Sequence, residues 1–469
     1  MLSIGSLSSA SGAAEYFIKG GEGQIAGYYS DHLAASKWGG GAKEILGLSD
    51  GPVDLDVFEA LLDGRVSDTQ TLGRMKDGVR LRDPGRDFTF SAPKSVSAAA
   101  IGALEKPILE AFAKSVETAM AYYQEHFAQA KVYNKETEKQ VKTGNQKILF
   151  ATFMDFLSRA NDPQLHIHVP NVNLAIGEDG KTRSQVFDLA YKHKILLGNI
   201  QRAELAKELS QLGLKIRPTG KNGLWELAGS STEILMNFSK RRQQMTRLAP
   251  HKTQDAAAMA HIAKITRPAK EKSVSADEIK ARWSEEFKSL GTSIKDYTQA
   301  LLNAPERDKS DLNPKAAIDY AISHMSETQA HFDKFELLKH AMVSVYGHVD
   351  IKSMETELEA RIDQGQFLET QDGRWLKPAK TEALEQQIVE AMQAGQLKGR
   401  VLSVDELKTQ SHRLDGLTPG QVKSAELILS DKHRYSGVEG VAGTGKSYLL
   451  EKTLPILKAK GYQLSLIHI

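Results

Sequence analysis

"DPQLHIHVPNVNL", residues Asp162–Leu174, decides how the first half of this chain reads. It is an apolar run with two histidines one residue apart, and residues i and i+2 of a strand point to the same side of a sheet. His166 and His168 can therefore face one ion together, or be two hydrogen-bonded polar residues sharing a strand with a core. Upstream, "KILFATFMDFLSR" has the texture of a second strand, and the "ANDPQ" turn between them predicts an antiparallel pair. That pairing brings Asp155 beside the histidines. A carboxylate and two imidazoles on neighbouring strands suit Mg²⁺ or Mn²⁺ and leave positions open for phosphate oxygens; the alternative is a surface aspartate.

On either side, short strands alternate with amphipathic helices. "LSIGSL" opens as a strand, a helix starts over Ser11–Phe17, and "DFTFSAP" alternates apolar and polar residues up to a proline. Residues 94–133 have helical spacing, with Pro107 beginning a second helix, and "LLGNIQRAELAKELSQLG" is a helix capped by Gly213. Strands broken by helices at hairpin spacing predict an α+β fold with a central antiparallel sheet. From Ala300 to about Leu407 come helices and a two-strand wing turning at Asp372-Gly373. That is a winged-helix-like pattern, which serves as a spacer as often as it reads DNA.

The last segment is different. "GVAGTGKS", Gly440–Ser447, follows a strand-like "RYSGVEG" and precedes the helical "KSYLLEKTLPIL", the strand–loop–helix setting of a phosphate-binding loop. Gly440, Gly443 and Gly445 let the backbone N–H groups cradle phosphates, Lys446 reaches the outer ones, and Ser447 holds Mg²⁺. No acidic strand for the metal and water follows before "SLIHI", so an incomplete RecA-like α/β nucleotide-binding domain and a truncated chain are expected.

Composition bounds the partners. The chain has 469 residues, no cysteine and a net charge of +2, so thiolate metal sites are excluded and any attraction to nucleic acid must be local. Lys240–Arg282 holds 11 Lys/Arg against 4 Asp/Glu, a solvated face or a phosphate-facing one. There is no signal-peptide pattern and no apolar run long enough to cross a membrane, so a bacterial cytoplasmic protein is expected. Near the N-terminus stand Tyr16 and the pair Tyr28-Tyr29. A tyrosine is usually packing, but a phenol can attack phosphorus when a metal and a base lower the cost of its ionisation. Asp87 is a candidate to orient a histidine or accept that proton.

The order of "SASGAAEYF", "WGGGAKEILGL", "DFTFSAPKSVS", "SRANDPQLHIHVPNVN" and "FSKRRQQM" resembles that of conjugative relaxases of the TrwC/TraI (MobF) group. In that group a His-x-His (HUH) endonuclease domain is fused to a RecD-like superfamily 1 helicase. The resemblance is strongest over residues 1–295, with a connecting segment at 300–407 and the start of the helicase at 415–469. It implies that Tyr16 attacks the scissile phosphate of single-stranded DNA at an origin of transfer, forming a 5′-phosphotyrosine link. Tyr28, or Tyr29 beside it, matches the second tyrosine used to end transfer. His166 and His168 match two of three metal-binding histidines, Asp87 the acid behind them, and Gln421 an adenine-reading glutamine. Asp155 stands where the third histidine is expected, and Phe17 replaces a second tyrosine next to Tyr16. The resemblance further implies ATP for the full-length helicase only, relaxosome accessory proteins and a type IV coupling protein as partners, and export attached to DNA. A rolling-circle replication initiator, whose tyrosine usually follows the His-x-His, and a P-loop protein with an N-terminal DNA-binding module are the competing expectations.

Overall fold

The computed structural model describes residues 1–21, 36–158, 160–220, 222–248, 262, 265–266, 276–305, 312–397, 402–430 and 433–463. The central sheet has six strands, the two-residue Thr182–Arg183 and five longer ones that carry its main path: β1 (Leu2–Ser6), β2 (Ser36–Gly39), β3 (Gly85–Ser91), β4 (Lys147–Leu157) and β5 (Pro163–Ile176). They lie in the order β1-β3-β5-β4-β2, with antiparallel neighbours throughout. The expected α+β class and antiparallel sheet are what forms.

Period-two alternation gives the sheet two unlike faces. On one, Ala151 and Phe153 of β4 and Val172 and Leu174 of β5 pack with Phe17 of helix α1 (Ala10–Gly21) and Phe58 of helix α2 (Leu55–Asp63). Asp54 caps α2 by accepting from the Val57 N–H, and Gly64 ends it at φ +89°, a conformation that glycine adopts without a Cβ clash. On the other face, Phe88 of β3 meets Tyr123 of helix α3 (Glu105–His126) edge-on at 5.1 Å. Phe88 is fully buried, so Phe88→Ala is expected to lower stability by about 3–5 kcal/mol in a urea titration. A loss under about 1 kcal/mol would mean that the site collapses around the smaller side chain.

Two expectations need correction. The helical run predicted to Tyr133 stops at His126, and Gln129–Asn134 is a strand paired with Lys139–Thr143. Local periodicity does not reveal that partner, because the competing hydrogen bonds come from a hairpin beyond the window. "RYSGVEG" forms no strand either. A strand buried on both faces needs neighbours on both sides, and among the described residues after Leu402 no strand exists to pair with it.

The structure divides into two units, Met1–Gln364 with Glu369–Leu376, and Gly365–Leu368 with Lys377–Ile469. In the first, helix α4 (Asp188–Gln211) lies against α3 and ends as expected, with Gly213 at φ +78° just past its cap. Its His193 is 1% exposed and stacked on Phe127 at 4.5 Å. Burial pushes this imidazole down to about 4, so the native state keeps it neutral. The unfolded chain takes up that proton at about 6.5. Stability from this residue is therefore present above pH 6.5 and drains away as pH falls towards 4. His193→Leu is expected to flatten the dependence of urea midpoint on pH across that window; an unchanged slope would show that His193 is not a contributor. Also in this unit, the wing turns at Asp372-Gly373, with Gly373 at φ +64°.

The second unit is helical among its described residues after Ala379, with a small core of Leu402, Leu414, Ala425, Leu429, Leu449 and Ile456. No helix among the described residues is long and apolar enough to cross a membrane.

Candidate active site

His166 and His168 lie on the sheet face that carries α1, towards the start of β5 at the edge of that face's apolar core, where Phe17 approaches the His168 ring at 5.6 Å. Their ring centroids are 5.1 Å apart. Thr89 of β3 sits directly across from His168 on one side, and Asp155 of β4 directly across from His166 on the other. Strand alternation puts Asp87 and Thr89 on the same face, while Phe88 between them serves the opposite core.

Hydrogen bonds fix how the two imidazoles point. His168 Nδ1 donates to Asp87 Oδ2 at 2.7 Å, and His166 Nδ1 donates to the Gln164 carbonyl at 2.7 Å. A carboxylate and a carbonyl can only accept, so each ring carries a proton on Nδ1, and in its neutral form leaves the lone pair on Nε2. Burial pushes the His166 pKa down, against the pull of Asp155 and reinforced by His168, so this ring is neutral at physiological pH. A neutral imidazole with its Nδ1–H anchored to an oxygen is the form that binds a metal through Nε2. Asp87 Oδ1 is buried without a hydrogen-bond partner, and Thr89 Oγ1 donates to Asp87 Oδ2 at 3.1 Å. The donor set thus suits a divalent ion. Asp155 Oδ1 accepts the backbone N–H groups of Phe156 (2.7 Å) and Leu157 (3.1 Å). Among the described residues no three His, Asp or Glu side chains gather as a ready-made metal cluster.

Helix α1 delivers the aromatic partner. Phe17 is buried and stacks on Phe153 at 5.0 Å with planes 13° apart, which anchors the helix to the sheet. Tyr16 is the next residue round the helix and remains 42% exposed, its ring edge-on to His168 at 5.7 Å between centroids. Sequence reasoning brought these residues to one site without showing their contacts. It passed over Thr89, which alternation from Asp87 would have found, and the Gln164 carbonyl, for which no sequence signal exists. Tyr28 and Tyr29 lie outside the described residues.

Two further expected features can be placed. The "FSKRRQQM" segment forms an exposed helix, Lys240–Leu248, whose first residue bonds the turn before β5: Lys240 Nζ donates to buried Asp162 at 2.9 Å and to Glu286 at 2.7 Å. Most of the basic stretch after it lies outside the described residues. In the second unit, Gly443 and Gly445 take left-handed conformations (φ +81° and +79°) leading into helix Lys446–Ala459. Lys446 Nζ donates to the Gly440 and Val441 carbonyls, and Gln421 Nε2 donates to the Thr444 carbonyl at 3.0 Å. Ser447 is exposed at the start of that helix.

Helix α1 thus lays Tyr16 over a His-x-His pair on an antiparallel sheet. Residues 10–290 match the family model described as TrwC relaxase, and the chain belongs to that family. It is 32% identical over 358 residues to the multifunctional conjugation protein TraI of Escherichia coli K12, covering 72% of this chain and 19% of that protein. The chain therefore spans about a fifth of the length of the curated relatives it matches. Among solved structures, the metal-bound conjugative relaxase TrwC in complex with oriT DNA is 30% identical with a TM-score of 0.55, covering 63% of this chain and all of that one. A copper-bound TrwC–oriT complex is 31% identical with a TM-score of 0.56, over the same shares. Family membership sets aside the replication-initiator reading.

Proposed function

We propose that this chain nicks and rejoins one DNA strand at a plasmid origin of transfer, beginning and ending conjugative transfer. The observation that carries the reading is the exposed Tyr16 held edge-on to His168. His166 and His168 would hold a divalent ion such as Mg²⁺ or Mn²⁺ through Nε2, and Asp87 keeps His168 in the ligating tautomer. When bound, the ion polarises the non-bridging oxygens of the scissile phosphate. Tyr16 Oη attacks that phosphorus in line, a bond forms from Oη to phosphorus, and the bond from phosphorus to the 3′ oxygen breaks. The phenol proton passes to water, and the departing oxygen is protonated to a free 3′-hydroxyl. Reversal of the same step reseals DNA, because the tyrosyl phosphodiester preserves the bond energy. Tyr28 or Tyr29 serves the terminating attack.

The exposed Lys240–Leu248 helix and the basic residues after it attract the single strand through its phosphates. The loop at Gly440–Ser447, with Gln421 against it, is the ATP-binding loop of a RecD-like helicase domain. Accessory relaxosome proteins and a coupling protein are the further partners, and the protein works in the bacterial cytoplasm before export with its DNA. A labelled single-stranded oligonucleotide carrying a candidate nick site, incubated with the protein and Mn²⁺, should yield a covalent adduct on a denaturing gel. Absence of an adduct across all candidate origins would overturn the reading.

A further inference from the structure

The irregularity between β4 and β5 lies beside His166. The register runs Asp155↔His166 and then Leu157↔Pro163, so Phe156 alone faces both Gln164 and Leu165. Such an extra residue breaks the ladder locally and re-aims its neighbours. Here the broken ladder is repaired by side chains. The Leu165 N–H donates to Ser97 Oγ at 3.0 Å, and the Phe156 and Leu157 N–H groups donate to Asp155 Oδ1. Pro163, across from Leu157, has no N–H to offer. The same irregularity turns the Gln164 carbonyl towards the His166 ring, where it fixes the tautomer. Phe156 is driven inward, 2% exposed, against Trp283 at 5.8 Å.

We propose that Asp155 is a positioning residue, its carboxylate clamping the irregularity that aims His166, and that the sheet supplies two imidazoles rather than three ligands to the ion. The proposal rests on the metal reading above. Asp155 Oδ1 spends both lone pairs on backbone amides, which set the plane of the carboxylate independently of any ion. Its position across from His166 leaves its charge near the centre, where it favours a cation through space. An Asn at this position keeps an oxygen for the two amides and loses the anionic ligand; an Ala loses both.

The test pairs Mn²⁺ titration calorimetry on the DNA-free protein with amide hydrogen exchange at Phe156 and Leu157. Asp155→Asn is expected to weaken Mn²⁺ binding less than about tenfold and to keep both amides protected. Asp155→Ala should speed exchange at both amides. A loss of about tenfold or more in Asp155→Asn, with exchange unchanged, would make Asp155 a ligand and overturn the proposal. His168→Ala separates the two readings. If it leaves Mn²⁺ affinity intact, the metal reading falls and takes the two-imidazole half of this proposal with it, while the exchange data still decide the clamp.

Discussion

Tyr16→Phe is expected to lower formation of the covalent DNA adduct by at least about a thousandfold, while leaving the fold and Mn²⁺ binding intact. The substitution removes one oxygen from a ring that is 42% exposed, so stability should change by no more than about 0.5 kcal/mol. Phe17, which anchors the helix through Phe153, is untouched. No residue beside Tyr16 can substitute, because its buried neighbour has no hydroxyl. The measurement is adduct yield under single-turnover conditions, with circular dichroism as the control for folding. A variant that still forms the adduct would move the nucleophile to Tyr28 or Tyr29.

Asp87→Asn should damage the site for a different reason. Asp87 Oδ2 can only accept, which holds the proton of His168 on Nδ1 and frees Nε2. The amide of asparagine can instead donate to Nδ1, so the ring proton moves to Nε2 and an N–H points where the ion should bind. A loss of roughly 10–100-fold in metal affinity is expected, with no comparable loss of stability. Asp87→Ala removes the anchor without enforcing the wrong tautomer, so it should bind metal at least as well as Asp87→Asn. Nitrogen NMR of His168 would show the switch directly. If Asp87→Asn keeps the proton on Nδ1 and full affinity, Asp87 does not orient the ring.

Much of this site was legible because strands impose a period of two. From "DPQLHIHVPNVNL" and "DFTFSAP" alone, His166 with His168, and Asp87 with Thr89, must each share a face. The pairing of β4 with β5 was legible too, since a short polar turn joins two apolar runs. Less legible was anything dependent on a distant partner. Gln129–Asn134 carries helical spacing but yields to a hairpin, and "RYSGVEG" carries strand texture with no described strand to complete it. Asp155 shows the same limit at a single residue. Its position across from His166 follows from the turn, but its attachment to the Phe156 and Leu157 amides depends on a register irregularity that no spacing rule reveals.

Sequence by itself determined which residues share the sheet face, that a tyrosine precedes them on a helix, and that any ion there must be held by nitrogen and oxygen, since no cysteine exists. Tertiary structure decided the orientation of the imidazoles and the approach of Tyr16 to His168. The reason is that an imidazole's free nitrogen is chosen by whatever accepts from the other one. Here those acceptors are a carboxylate on a strand 81 residues away and a backbone carbonyl beside a broken ladder, both set by pairing between strands rather than by local spacing.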